Sequence, residues 1–203
     1  MKKAISRTSL VVVCIALLVS GISCANDVPD IDGATLFNFH IVEDGQFYRS
    51  AQPTPDALAN VLGQLGIRTI LNLRGENEGE SWYDQEREIA DMMGVTLEDQ
   101  PMSAKSLPSG ERLAEILDIL ENGQYPILVH CQGGADRTGA ISAIYRMHIL
   151  GHDRTDALTE LSPLTLHFRA YAPCMDLLAE IFESTPEWLQ KYAQTYTQLT
   201  CQP

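Results

Sequence analysis

The sequence predicts an α/β domain with a central, mostly parallel sheet flanked by helices and a helical carboxyl-terminal third. Three observations predict it. From residue 47 to residue 150, short runs of branched apolar residues alternate with stretches whose apolar residues recur at helical spacing. Residues 126–130 form a continuous apolar run ending in His130, the pattern of a strand covered on both faces of a parallel sheet. Beyond Gly151 only helical patterns remain, divided by Pro163 and Pro173.

The elements follow in chain order. Residues 26–46 have little periodicity and several turn formers, and they read as an extended lead-in on the surface of the domain. Phe47-Tyr48-Arg49 starts a strand. Thr54 can cap a helix with Pro55 in its first position, and Leu58, Val61, Leu62 and Leu65 share one face until Gly66 stops it. A strand over residues 67–73, a helix from Ser81 to about Met93 and a strand from Val95 to about Met102 come next. Ser109 opens a helix striped by Leu113, Ile116, Leu117 and Leu120, and the buried strand at residues 126–130 leads into a helix from Thr138 to Leu150. Three further helices are expected over residues 153–161, 172–184 and 186–199, and residues 47–203 form one domain.

Composition narrows the function. The 203 residues are 45% hydrophobic and carry a net charge of −13, enough for one ordinary core and the wrong sign for nucleic acid or an anionic membrane surface. Residues 1–25 read as an export signal, with Lys2, Lys3 and Arg7 before the apolar run of residues 10–19. Cleavage after Ala25 is the preferred reading, which makes the protein periplasmic or secreted; lipidation at Cys24 is the alternative and the one route to a membrane. After removal of residues 1–25 eleven cations remain against 27 anions, a net charge of −16. Cys131, Cys174 and Cys201 also remain, an odd number for an oxidising compartment, so at least one is free or pairs between chains.

The chemistry is concentrated in the stretch from His130 to Gly139, between the buried strand and the helix after it, where ligands of parallel sheets collect. A loop closing on a helix amino terminus turns backbone NH groups towards an oxyanion. Gln132, Gly133, Gly134 and Ala135 supply that backbone, and the two glycines allow it to curl close to a ligand. Arg137 can set its planar fork against two phosphate oxygens. The same field favours a thiolate at Cys131, which makes it the candidate nucleophile.

These residues resemble the signature of the cysteine-based protein tyrosine and dual-specificity phosphatases: a His-Cys pair, five residues, then Arg and a hydroxyl residue. Residues 47–53 and Leu71-Asn72-Leu73-Arg74 are similar to entry segments of the atypical dual-specificity enzymes of bacteria, fungi and plants. The resemblance covers residues 47–150. It implies attack of Cys131 on phosphorus, a phosphocysteine intermediate released by water, and no metal or other cofactor. Thr138 corresponds to the hydroxyl that bonds the departing thiolate, and His130 to the residue that fixes the loop. For the general acid the resemblance offers Asp136, in the loop itself, ahead of Asp99, about thirty residues before the cysteine.

The substrate stays open among phosphoproteins, phosphoinositides and small phosphate esters, because the cations expected near the site are only Arg49, Arg74, Lys105 and Arg169. A phosphate-binding module with little turnover and a rhodanese-like sulfurtransferase are the competing readings. His148 and His152 stand four residues apart, but Gly151 interrupts the helix between them, which argues against a metal pair. A Cys174–Cys201 disulfide would protect a reactive Cys131 from exchange. Fraying of the chain end tips the reading slightly towards two unpaired thiols instead.

Overall fold

Five short strands build the sheet: β1 (His40–Glu43), β2 (Phe47–Ala51), β3 (Thr69–Asn72), β4 (Thr96–Asp99) and β5 (Ile127–Cys131). The computed structural model describes residues 36–196 and Cys201; the expected leader, with Cys24, lies outside them. The strand order is β1-β2-β5-β3-β4, with β1 antiparallel to β2 and every other pair parallel. The central strand is therefore the one with the continuous apolar run. All five of its residues are buried, as are those of β2, whereas the β4 edge is partly exposed.

Side chains alternate between two cores, as the two-residue period of a strand requires. Tyr48, Ile70 and Leu128 face α1 (Pro55–Gln64) and α2 (Ser81–Met93), which bury Leu58, Val61 and Ile89 against them. Phe47, Leu71, Ile127 and Val129 face the other layer. There α3 (Gly110–Asn122), α4 (Asp136–His148), α6 (Pro173–Ile181) and α7 (Pro186–Thr195) contribute Ile116, Ile141, Leu178 and Tyr192. The short α5 (Arg154–Ala157) connects α4 to two 3-10 turns, Leu158–Glu160 and Pro163–Thr165. Thr54, Ser109, Asp153 and Thr185 each accept a backbone NH of the first helical turn, and Gly94 closes α2 in the left-handed region.

Four differences from the sequence reading have physical causes. Residues 40–43, read as lead-in, pair with β2 and become β1, a partnership that local pattern cannot reveal. The helix expected from Thr138 begins at Asp136, so Asp136 and Arg137 belong to its first turn. The helix expected over residues 153–161 is split between α5 and a 3-10 turn. Cys174 and Cys201 form a disulfide, with Cα atoms 5.2 Å apart. α7 packs on α3, with Tyr192 donating to the Pro108 carbonyl at 2.8 Å, and Cys201 lies against the core beside α6, within reach of Cys174.

Candidate active site

The loop of residues 132–135 carries the chain from the carboxyl end of β5 into α4, folding back over the end of β2. Ala51 pairs with Cys131 across the sheet, and Gln52 donates its backbone NH to the Gln132 carbonyl. Gly134 has φ +67°, and a Cβ there would stand 2.4 Å from the Ala51 nitrogen and 2.5 Å from the Ser50 carbonyl carbon. Only glycine fits. Gly133 differs from the sequence expectation: a Cβ at that position would meet nothing within 4 Å. The close approach belongs to Gly134 alone.

Cys131 is 2% exposed and is the one free cysteine among the described residues. Arg137 lies in the first turn of α4 and donates from Nη1 to the carbonyls of Leu73 (3.1 Å) and Met102 (3.2 Å). Those bonds fix the guanidinium and leave Nε and Nη2 for a ligand. Arg74 stacks on Trp82, with 3.3 Å from its guanidinium carbon to the ring centroid, and donates to Gln52 at 3.0 Å. Burial and then the repulsion of Arg137 lower the pKa of Arg74, while electrostatic interactions with Glu86, Cys131 and Glu80 oppose the shift. Arg74 thus lies within reach of both Arg137 and the Cys131 thiol. Gln132 and Gly133 are exposed, and Ala135 is buried at the helix entrance.

Arg49 has a different task from the one expected of it. It is fully buried and donates to the Gly134 carbonyl at 2.7 Å, the Ala135 carbonyl at 3.3 Å, and the carbonyl and carboxylate of Glu160 at 2.8 and 2.7 Å. Burial lowers its pKa, and the Glu160 carboxylate opposes that shift. It braces the loop from behind rather than meeting a ligand. Gly139 allows this arrangement, since a Cβ there would stand 2.8 Å from the Glu160 carbonyl oxygen.

His130 lies behind Cys131, and its Nε2 is 2.9 Å from Oε1 of Glu86, a buried carboxylate on α2. The approach is too poorly aligned for a hydrogen bond, and neither ring nitrogen of His130 has a hydrogen-bond partner among the described residues. Thr138 is buried, and its hydroxyl makes no hydrogen bond among the described residues, the expected bond to the Cys131 sulfur included. Asp99 has both oxygens taken, Oδ1 by Asn72 at 2.7 Å and Oδ2 by the Tyr83 hydroxyl at 2.6 Å. Burial and that bond raise the Tyr83 pKa, so the phenol stays protonated and donates. Asp99 ties β4 to β3 and α2.

Asp136 is one-third exposed, and its Oδ1 lies 2.7 Å from His167 Nδ1. The other ring nitrogen of His167 is 2.8 Å from Asp176 Oδ2, on α6. Sequence reasoning missed both residues, as it missed Glu86 and Glu160. Glu86 alone had a signal, a charge on the buried Tyr83-Glu86-Ile89-Ala90 stripe of α2.

Of the remaining expected cations, Lys105 is exposed on the loop that follows Met102, while Arg169 is paired with Glu180. His148 and His152 bond separate partners, Glu121 and Asp156.

Known proteins share this architecture. The structure superposes on the core catalytic domain of the PP-IP phosphatase SIW14 of Saccharomyces cerevisiae with a TM-score of 0.61 and 24% identity, covering 77% of this chain and 91% of that one. It superposes on Pseudomonas aeruginosa TpbA with a TM-score of 0.57 and 22% identity, covering 78% and 92%. In sequence, the dual specificity protein phosphatase TpbA of Pseudomonas aeruginosa is 30% identical over 122 residues, 56% of this chain and 49% of TpbA. The chain spans about half the length of the curated relatives it matches. Residues 35–171, which hold the sheet, the Cys131 loop and His167, match the family described as DSP-PTPase phosphatase fused to NAD+ kinase, and the chain belongs to that family.

Proposed function

We propose that this protein is an exported, cysteine-dependent phosphatase that hydrolyses phosphate monoesters through a phosphocysteine. The observation that carries the reading is the juxtaposition of a buried free thiol at the end of β5 with Arg137, whose Nη1 is fixed by two carbonyls and whose other edge is open. Cys131 attacks phosphorus in line, forming the S–P bond as the P–O bond to the leaving group breaks. Arg137 and the NH groups of the loop hold the equatorial oxygens, the electrostatic stabilisation that phosphoryl transfer chiefly needs. Asp136 protonates the leaving oxygen and then takes a proton from the water that displaces the thiolate.

The surroundings favour a phosphorylated aromatic side chain of a protein over a densely charged inositol. Arg49 is buried and Arg169 is paired, which leaves Arg74 and Lys105 as rim cations. Exposed Leu166 and Phe168 flank His167, and Phe37 precedes Asn38, which donates to the Gly133 carbonyl. Such a rim suits an apolar ligand. The Cys174–Cys201 disulfide supports export, since such bonds persist in oxidising compartments.

The test is Cys131→Ser. Release of phosphate from an aryl phosphate should fall to background while inorganic phosphate still binds, because an alcohol at this place is a poor nucleophile and the NH cradle survives. Near wild-type turnover in that variant would end the covalent reading. Phosphate release from phosphotyrosyl peptides, compared with phosphoinositides and sugar phosphates, decides the substrate.

A further inference from the structure

Asp136, the group assigned to protonate the leaving oxygen, does not stand alone. His167 is 2% exposed and spans two carboxylates, 2.7 Å from Asp136 and 2.8 Å from Asp176. It reaches that place by an unusual route: Leu166, just before it, lies in the left-handed region at φ +61°, and the His167 backbone NH donates to the Ser162 carbonyl at 3.0 Å. A non-glycine residue held there costs free energy, and the surrounding contacts must compensate. The anchored ring is the visible result. Asp176 is itself buried on α6, so the bond at Nε2 holds the ring while Nδ1 faces Asp136.

We infer that His167 and Asp136 hold one proton between them, and that His167, braced by Asp176, orients the Asp136 carboxyl and supplies the proton it delivers. The inference rests on the phosphatase reading for the identity of the acceptor and on this geometry for the rest. The imidazolium passes its Nδ1 proton to Asp136 Oδ1. Rotation of the carboxyl presents that proton to the leaving oxygen, which departs as an alcohol or phenol. Asp136 is left as carboxylate and His167 neutral. The attacking water then forms the new P–O bond as S–P breaks and returns its proton to the pair.

A lone aspartate loses its proton near pH ~4 and makes a poor acid at neutral pH. A pair that shares one proton keeps it up to the higher of its two apparent pKa values. Burial opposes a charge on His167, yet the bonds to Asp136 and Asp176 outweigh burial and raise its pKa above the ordinary 6.5. The other charges around it are paired, although Arg169 also attracts Asp176. The Glu160 carboxylate faces Arg49 and Arg146, and Arg169 faces Glu180. His167 thus meets one carboxylate from α4 and one from α6.

The experiment compares phenyl phosphate, whose leaving group needs a proton, with p-nitrophenyl phosphate, whose leaving group does not. Rates are measured against pH in the full protein and in His167→Gln and Asp176→Asn. In His167→Gln the loss for phenyl phosphate should exceed the loss for the nitrophenyl ester by about tenfold, and the basic limb of its kcat profile should move about one unit to lower pH, with KM little changed. Asp176→Asn should move the limb in the same direction by less. Equal losses for both esters, or an unmoved limb, would overturn the inference.

NMR titration of the His167 ring supplies a readout independent of turnover. Its midpoint should fall in Asp136→Asn and in Asp176→Asn, and an unchanged midpoint would equally overturn shared protonation. Failure of wild-type protein to release phosphate from either ester would instead strike the phosphatase reading, and the titration would still judge the proton pair.

Discussion

The loop between β5 and α4 and the segment from Glu160 to Asp176 serve one site by different means. In the loop, the proposed nucleophile, the cradle and the guanidinium follow one another within seven residues, from Cys131 to Arg137, fixed by the register of a parallel sheet and one required glycine. In the flanking segment, Glu160 reaches Arg49 across 111 positions and His167 reaches Asp136 across 31. The loop's shape comes mainly from backbone packed on the neighbouring strand, whereas the flank's comes from charged side-chain pairs that exist only once the chain is folded. A site can therefore be compact in sequence and still depend on distant residues for its orientation.

Substitution at Gly134 tests the backbone packing of the loop and carries the largest expected effect on stability. Gly134→Ala meets the backbone of Ser50 and Ala51, so it should cost about 4 kcal/mol or more, or prevent folding. Gly133→Ala, one residue away and facing open space, should stay within about 1 kcal/mol. Chemical denaturation of the two variants makes the comparison, and equal costs would show that the loop's shape is not set at Gly134.

The next test addresses the flank. Cys174→Ser removes a cross-link of 27 residues' separation and should cost about 3.5 kcal/mol on the chain-entropy model. Because Cys174 and Asp176 share the first turn of α6, the same change should also weaken His167's hold on Asp136. A non-reducing digest should yield the Cys174–Cys201 peptide pair, and a denaturation midpoint insensitive to reductant would remove the staple from the account.

The smallest effect is one of pH. The folded-state pKa of His167 lies above its unfolded value of about 6.5, so its contribution to stability is fully present below that pH. It is lost as pH rises through the folded value. The stability difference between wild type and Asp176→Asn, measured by urea denaturation, should accordingly be larger at pH ~6 than at pH ~8. His40, whose pKa is lowered by burial and then by Arg49, works in the opposite sense and is common to both proteins. A pH-independent difference would mean that Asp176 is not stabilising an imidazolium.

What the sequence made legible divides along the same line. The helix from Ser81 to Met93, the Ser109 cap and the central strand followed from periodicity and capping chemistry, because those are short-range properties. Cys131 and Arg137 could be proposed from sequence because a thiol and a guanidinium that act on one phosphate would have to share one loop, and the structure places both at the ends of that loop. Arg49 was misread as a rim cation, since nothing near residue 49 announces that Glu160 will bury it. The edge strand β1 depends on its pairing with β2 in the same way. His167 carried no local mark: one histidine between a 3-10 turn and a run of exposed residues gains meaning only from Asp136 and Asp176.

The two loop carbonyls held by Arg49 bear on the thermodynamics of ligand capture. In a planar peptide a fixed carbonyl also fixes the NH on its far side, so holding the oxygens of Gly134 and Ala135 directs the amides of Ala135 and Asp136 before any anion arrives. The conformational entropy of ordering that stretch is lost during folding and is not lost again on association. Capture of an oxyanion should then proceed with little change in loop mobility, as a rigid lock rather than a closing hand.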